Sequence, residues 1–372
     1  MLQSVQICRG LAALLVVFYH TGAIIGLEKY GSHTFLSGYL SSLGFIGVDF
    51  FFVLSGFIIL FAHQKDVGRP DRFGRYFYRR TSRIYPIYWL YLTLILVAYR
   101  IMGRPPILSV ADYFSSYLLL RFSSTATPIV QAWSLFHEVI FYAMFGILIL
   151  NRRIGALVIG LWFLIIVIHF DYEPISVGPS VLRDFFGVAF SLLNLNFLWG
   201  IAVLLVLPLM SARLGLLSIA LGVLTLITVA ITERSGTLTL YPQLRALDGP
   251  ASASILAGLI TMEGYGVRRW STIFRFFGDA SYSIYLTHYA VLSVLAKIAV
   301  SLNVYEVLPS FAIFALLACL AAAVGCILYA LVERPLINVL RRKLFPSNKA
   351  PGVEADLAPG PLMGKRSTDG RR

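Results

Sequence analysis

Two ionisable side chains lie in the first apolar segment of the chain, Arg9 at its start and His20 in its interior. An ionisable group at membrane depth is energetically costly and therefore indicates function. If the segment is helical, the two side chains share one face and lie about 16 Å apart along the axis. The pair predicts a general base inside the membrane and an anion-binding cation at its surface. Taken singly, Arg9 also fits a residue that marks the cytoplasmic end of a segment, and His20 fits a histidine satisfied within a helix bundle.

Two carboxylates in later apolar segments are candidates to support that imidazole. Asp49 lies near the start of the second segment, and Glu138 lies in the fourth, next to His137. A carboxylate fixes the tautomer of a histidine base by accepting its second N–H. We therefore predict that His20, Asp49 and Glu138 are catalytic; the alternative for Asp49 is a carboxylate at the outer interface. His137 and Glu138 point about 100° apart on a helix and are not expected to act as one hydrogen-bonded pair.

Arg80 and Arg83 open the third apolar segment and, being three residues apart, share a helix face. Guanidinium groups bind phosphate with two parallel hydrogen bonds. Together with Arg9 they are predicted to bind a nucleotide-bearing donor such as a coenzyme A thioester. The alternative is that the two arginines contact lipid headgroups and set the topology.

Aromatic and polar side chains of the fourth and ninth segments complete the predicted site. Trp133, Tyr142 and Tyr282 are candidates for the cavity wall and for a platform under a sugar acceptor. His288 is expected to line the same cavity as His20.

The composition is that of a polytopic membrane protein. Of the 372 residues, 58% are hydrophobic and 13% are charged, whereas soluble domains average about 45–50% apolar and 25% charged residues. The net charge of +13 fits cytoplasmic loops rich in lysine and arginine. Nucleic acid is not an expected partner, because no soluble basic fold is present.

Ten apolar segments approach or reach the roughly 20 residues needed to cross the hydrocarbon core. They lie near residues 6–25, 42–62, 80–101, 129–150, 154–170, 187–210, 213–232, 251–266, 281–301 and 309–331. They predict an all-α transmembrane bundle over residues 1–343. The basic cytoplasmic tail that follows, 344–372, has a composition typical of disorder. The ninth segment is expected to begin with a helix cap at Asp279 or Ser281.

The main groups of basic residues lie after even-numbered segments. The linker after the second segment is the richest, and the others follow the fourth, sixth, eighth and tenth: Lys65, Arg69, Arg72, Arg75, Arg79, Arg80, Arg83, Arg152, Arg153, Arg213, Arg268, Arg269, Arg275, Arg341, Arg342 and Lys343. The loops after odd-numbered segments are acidic or mixed, as at residues 171–174. The positive-inside rule therefore predicts that both termini are cytoplasmic.

The three cysteines predict neither a disulfide framework nor a metal site. Cys319 and Cys326 lie on one apolar helix with Cα atoms about 10 Å apart, which is beyond the reach of a disulfide. We therefore expect no bound metal.

Five motifs follow one another along the chain. They are Arg9-x10-His20, Gly-Val-Asp-Phe-Phe-Phe-Val-Leu-Ser-Gly-Phe at 47–57, Arg-x-x-Arg-Ile-Tyr-Pro at 80–86, Trp-Ser-Leu-x-x-Glu-x-x-Phe-Tyr at 133–142 and Ser-Tyr-Ser-Ile-Tyr-Leu-x-His at 281–288. Together they resemble the membrane-bound acyltransferase 3 family over residues 3–336, including Glu333-Arg334-Pro335. The chain is similar to the stand-alone members, which lack an appended soluble esterase-like domain. His137 departs from the family pattern.

The resemblance implies an activity and a location. Bacterial members move an acyl group, most often acetyl, from cytoplasmic coenzyme A to a hydroxyl of a surface or secreted carbohydrate, such as exopolysaccharide or the O-antigen of lipopolysaccharide. It implies acyl-CoA as co-substrate, no bound cofactor, and a multi-pass protein of the bacterial inner membrane. The alternative is a transporter or flippase for a lipid-linked glycan or a small solute, in which Arg9 and His20 would line a proton or substrate path. A transporter of this kind often has paired broken helices in two related halves, and the sequence does not have this pattern.

Overall fold

The computed structural model describes residues 2–30, 37–103, 108–123, 127–168, 180–234, 242–266 and 272–344. The regular structure of these ranges is helical throughout, without a strand. A bundle of helices is the expected outcome for a chain this apolar, because a helix satisfies its backbone hydrogen bonds internally where lipid offers no partner. The predicted tail from residue 345 and the acidic loop at 171–174 lie outside the described residues.

The helices are numbered in chain order. They are α1 Gln3–Ile25, α2 Ser37–His63, α3 Phe73–Ile101, α4 Val110–Leu118, α5 Trp133–Leu150, α6 Arg152–Ile168, α7 Ser180–Ala189, α8 Leu195–Val206, α9 Ala212–Arg234, α10 Asp248–Gly264, α11 Thr272–Ser301, α12 Val304–Val307, α13 Ser310–Leu328 and α14 Arg334–Leu344. A π-helical turn, Tyr329–Glu333, joins the last two.

Each predicted apolar segment is helical over most of its length, although the segment 187–210 is divided between the end of α7 and α8. Eight helical stretches of the described chain are long and apolar enough to cross a membrane. The chain is therefore a multi-pass membrane protein. The two other predicted segments correspond to α6 and α10, of 17 residues each, which span about 26 Å at 1.5 Å per residue. The count of ten crossings and the cytoplasmic location of both termini stay predictions.

The relative direction of α1 and α11 constrains that count. Contacts between the two helices advance together along both: Gln6 with Asp279, Arg9 with Ser281, and His20 with His288. The helices therefore run parallel, so α6 and α10 either both cross the membrane or neither does. α10 ends beside the start of α1, where the carboxylate of Glu263 accepts the backbone N–H of Gln3 at 2.9 Å. This contact satisfies one of the unpaired donors in the first turn of α1.

Two helices begin earlier than predicted. α3 starts at Phe73 and not near residue 80, so Arg75 and Arg79, which the sequence assigns to a linker, lie on the helix. α11 starts at Thr272, so the predicted cap at Asp279 or Ser281 is wrong. Both side chains instead lie inside the helix, where groups on α1 donate hydrogen bonds to them. Pro86 lies within α3 without ending it, as membrane helices tolerate.

The core contains closely packed aromatic rings from α5 and α8. Phe141 and Phe197 are fully buried and stack with ring centroids 4.3 Å apart. Fully buried Phe136 and Phe145 extend this layer along α5. The arrangement holds α5, which carries Glu138, at a defined rotation in the bundle.

Glycines allow α2 and α8 to cross with their backbones in contact. A Cβ atom on Gly200 would lie 2.0 Å from the carbonyl oxygen of Val53, and one on Gly56 would lie 2.1 Å from that of Phe197. Small residues permit this approach between membrane helices. The crossing fixes α2, which contributes one wall of the cavity described below.

We expect Gly200→Ala to destabilise the protein by about 1–3 kcal/mol, because the added methyl group forces the two backbones apart. The measurement is thermal unfolding of the detergent-solubilised protein, followed by the loss of the monodisperse species. Gly160→Ala in α6 is the matched control, since a Cβ atom there meets nothing within 4 Å. Equal melting temperatures for the two variants would contradict the close crossing.

Candidate active site

A cavity lies among α1, α2, α3, α5 and α11. Its wall is mostly apolar and aromatic, with four charged side chains: Arg9, Arg80, Arg83 and Glu138. Tyr142 and Tyr282, predicted as cavity residues, also line it. The structure thus brings together all three arginines that the sequence proposes for phosphate binding.

Neutral and hydrogen-bonded groups hold Arg9 in place. Its Nη2 donates to Ser281 Oγ at 3.0 Å, and its Nη1 donates to Gln6 Oε1 at 3.3 Å. Gln6 in turn donates from Nε2 to Asp279 Oδ1 at 2.5 Å. Close approach of α1 and α11 brings Ser281 and Asp279 within hydrogen-bond reach of α1, since a Cβ atom on Gly278 would lie 2.0 Å from the backbone oxygen of Gln6.

The three arginines form no ion pair with any carboxylate of the described chain. The nearby carboxylates accept hydrogen bonds from neutral groups instead, Asp279 from the Gln6 amide and the other two from hydroxyl groups. Glu138 accepts from Ser55 Oγ at 3.0 Å and from the hydroxyl of Tyr142, and Glu333 accepts from Ser283 Oγ at 2.6 Å. A guanidinium removed from water requires compensation by an anion or by strong hydrogen bonds. The cavity is therefore chemically suited to an anionic ligand.

His20 and His288 form a pair further along α1 and α11. His20 Nδ1 lies 3.0 Å from the carbonyl oxygen of Val16 and 3.2 Å from His288 Nε2. His288 Nδ1 lies 3.1 Å from the carbonyl oxygen of Ile284. A carbonyl only accepts, so the network assigns the hydrogen of each neutral ring to Nδ1. The lone pair of His20 is then on Nε2, which has no hydrogen-bond partner among the described residues.

Two rings separate this histidine pair from the cavity. Phe51 and Tyr285 line the cavity, with centroids 5.5 Å apart, and the Tyr285 ring lies 6.0 Å from that of His288. The Tyr285 hydroxyl lies 2.7 Å from Ser134 Oγ. His20 itself is partly exposed and is not part of the cavity wall. Arg9 and His20 both contact α11, as the predicted shared helix face requires, but only Arg9 lines the cavity.

The structure does not bring the two predicted carboxylates to His20. Asp49 accepts a hydrogen bond from Asn196 Nδ2 at 2.6 Å, on a face of α2 away from the cavity. Glu138 lies in the cavity with the arginines. Neither contacts the imidazole, because the rotation of α2 and α5 in the bundle turns each carboxylate towards another neighbour.

Trp133 and His137 also lie outside the cavity wall. The Trp133 ring meets the edge of His137 at 6.0 Å, and His137 Nδ1 donates to Asn194 Oδ1 at 3.1 Å. Trp133 thus packs against a buried histidine instead of facing the cavity. His137 and Glu138 point in different directions, as their helical spacing predicts.

Several polar groups near the cavity were not predicted as site residues. Gln6 orients Arg9, and Gln131 Nε2 lies 3.4 Å from His288 Nε2. Glu333 ends the π-helical turn and is 5% exposed. A π-helical turn often occurs at a functional site. The signal available in the sequence was a carboxylate directly after the last apolar segment.

Comparison with known proteins identifies the family. The acyltransferase 3 family, described as "Acyltransferase domain", matches residues 2–330. The chain belongs to this family. This membrane acyltransferase is also 30% identical over 325 residues to the exopolysaccharide production protein ExoZ of Rhizobium meliloti (strain 1021), covering 84% of this chain and 93% of that protein. No solved structure matches the chain.

Ser55 lines the cavity, so a cysteine at this position should be accessible to a thiol reagent. In a variant whose three native cysteines are replaced by serine, Ser55→Cys is expected to react with a small methanethiosulfonate at least about tenfold faster than Ser252→Cys, because reactivity follows exposure. Ser252 is 0% exposed and serves as the matched control. Equal labelling rates in the detergent-solubilised protein would show that the cavity is not accessible.

Proposed function

We propose that this acyltransferase moves an acyl group, most often acetyl, from cytoplasmic acyl-CoA to a hydroxyl of an extracytoplasmic carbohydrate. The observation that carries the proposal is a cavity with three arginines, none of them ion-paired with a carboxylate of the described residues, near a histidine pair. Acyl-CoA supplies what both parts require, since it combines several phosphates with a long thin arm that ends in a thioester.

The donor binds with its phosphates on Arg9, Arg80 and Arg83. Arginine suits this role because its planar group makes paired hydrogen bonds to phosphate oxygens. The basic residues at the start of α3 favour a cytoplasmic location for this end of the cavity. Glu138, bound to Ser55 and Tyr142, shapes the donor cavity in this proposal and does not orient the catalytic imidazole.

His20 Nε2 acts as the general base. It takes the proton of the acceptor hydroxyl while the oxygen attacks the thioester carbonyl. The carbon–sulfur bond then breaks, the new ester bond remains, and the coenzyme A sulfur leaves with the proton returned by His20. A positioned base of this kind contributes about 10²–10⁴-fold to the rate. His288 holds the proton of His20 on Nδ1, which leaves Nε2 free for the acceptor.

The acceptor is proposed to be an exopolysaccharide or its lipid-linked precursor, outside the plasma membrane of a bacterium. The similarity to ExoZ, whose name assigns it to exopolysaccharide production, supports this choice. The partial exposure of His20, which lies outside the cavity of the arginines, supports acceptor access from the opposite face of the membrane.

The test is release of coenzyme A in membranes supplied with acetyl-CoA and the polysaccharide of the producing cell. We expect thiol release together with labelled acetyl on the polysaccharide. A flippase or transporter would move the glycan without releasing thiol. Absence of thiol release with acetyl-CoA and with longer acyl-CoA donors would refute the proposal.

Removing the proposed base, His20, or the phosphate-binding Arg9 is expected to abolish transfer. His20→Ala should lower the turnover number by at least about 100-fold, because the hydroxyl loses its proton acceptor. Arg9→Ala should abolish transfer at low acyl-CoA concentration, because one phosphate partner is lost. Arg213→Ala, an exposed arginine on α9, is the control, and membrane levels are compared by immunoblot. Polysaccharide still acetylated at the normal level by His20→Ala would remove His20 from the chemistry.

His288→Ala is expected to lower the turnover number about tenfold while the KM for acyl-CoA stays within about twofold, because His288 acts on the tautomer of His20 and not on donor binding. His288→Gln retains an acceptor for His20 Nδ1 and should recover most of the activity. A change confined to KM would contradict this role.

A further inference from the structure

His63, at the end of α2, is a buried histidine that the reaction described above does not use. Its side chain is 1% exposed, and it is not part of the cavity wall. Both ring nitrogens have partners. Nδ1 lies 2.8 Å from Asp66 Oδ2, and Nε2 lies 2.8 Å from Arg80 Nη2.

The two contacts define what the ring does. The carboxylate of Asp66 accepts the N–H at Nδ1, so the neutral ring presents its lone pair at Nε2. Arg80 donates to that lone pair. Asp66, His63 and Arg80 therefore form a hydrogen-bonded chain that ends on the cavity wall.

Arg80 has few other constraints. Its guanidinium lies over the Tyr142 ring, 5.8 Å from the centroid. Its Nε atom is buried and has no hydrogen-bond partner in the described part of the chain. The guanidinium thus makes its hydrogen bond within the described residues through Nη2, and Arg80 lines the cavity.

The neutral imidazole of His63 affects the charge of Arg80 differently from a carboxylate. An aspartate or glutamate at the position of the imidazole would orient Arg80 but would also neutralise its charge. The imidazole orients the guanidinium and leaves the charge available to an anion. Asp66, which carries the compensating charge, is one ring further from the cavity.

We propose that His63 is a positioning residue for donor binding: with Asp66 it holds Arg80 ready for a phosphate group of the acyl-CoA. This inference rests on the proposed function, since it assumes that acyl-CoA occupies the cavity. Holding a flexible side chain in its bound position lowers the entropic cost of binding. The contribution of His63 therefore appears in donor affinity and not in the chemical step.

The test compares His63→Leu with His63→Gln in the acyl transfer assay. His63→Leu removes the acceptor, and we expect the KM for acyl-CoA to rise about tenfold with the turnover number within about twofold of the wild type. Glutamine places an amide oxygen near the position of Nε2, so His63→Gln should keep the KM within about twofold. His63→Met replaces the leucine variant if that variant does not reach the membrane.

A double variant separates positioning from packing. If His63 acts through Arg80, adding His63→Leu to Arg80→Ala should not raise the KM further, because the interacting pair is already broken. Additive effects, an unchanged KM in His63→Leu, or an equal KM increase in His63→Gln would each overturn the inference while leaving the transferase proposal intact. Absence of acyl-CoA-dependent transfer by the wild type would overturn both.

Discussion

Burial of positive charge without a matching carboxylate is the constraint on which the site depends. Lipid supplies no water to solvate a guanidinium, so each buried arginine must be held by the protein until an anion arrives. The helices meet this demand with neutral partners. Ser281 and Gln6 hold Arg9, and His63 holds Arg80. The carboxylates close to the cavity accept hydrogen bonds from neutral groups, which leaves the positive charge available to a ligand.

The close crossings between helices follow from the same requirement. Hydrogen bonds from α1 to α11 are possible at Gln6 and Arg9 because Gly278 allows the two backbones to approach. The crossing of α2 and α8 at Gly56 and Gly200 positions the wall that carries Phe51 and Ser55. Small residues thus determine where the charged ones can reach, since a side chain at the crossing would separate the helices by more than a hydrogen bond spans.

The site has two compartments that differ in chemistry. One is the cavity with the arginines, whose wall includes Phe51 and Tyr285, and the other is the histidine pair, whose His288 ring lies 6.0 Å from that of Tyr285. A donor with phosphates at one end and a thioester at the other matches this order. The proposed reaction requires the thioester end to pass the two rings, so their packing limits how wide the arm of a donor can be. Coenzyme A meets that limit because its arm is unbranched beside the thioester.

The sequence by itself determined the helical segments of the fold and the charged groups of the cavity. Each predicted apolar segment is helical over most of its length, because an apolar run in lipid must satisfy its own backbone. Arg9, Arg80, Arg83, Tyr142 and Tyr282 line one cavity, since ionisable and polar side chains in such segments turn inward. Helical spacing alone predicted that Arg9 and His20 share a face, and in the structure both contact α11.

Only the tertiary structure decided which groups meet across helices. Asp49 and Glu138 were equal candidates to support His20, but the rotation of their helices places both elsewhere. Asp279 and Ser281 carry the side chains of a cap, yet they bind α1 residues that precede them by more than 270 positions. His63 follows the second predicted segment directly, and only the fold places it against Arg80. These contacts depend on packing angles between distant segments, and a local pattern of residues does not contain that information.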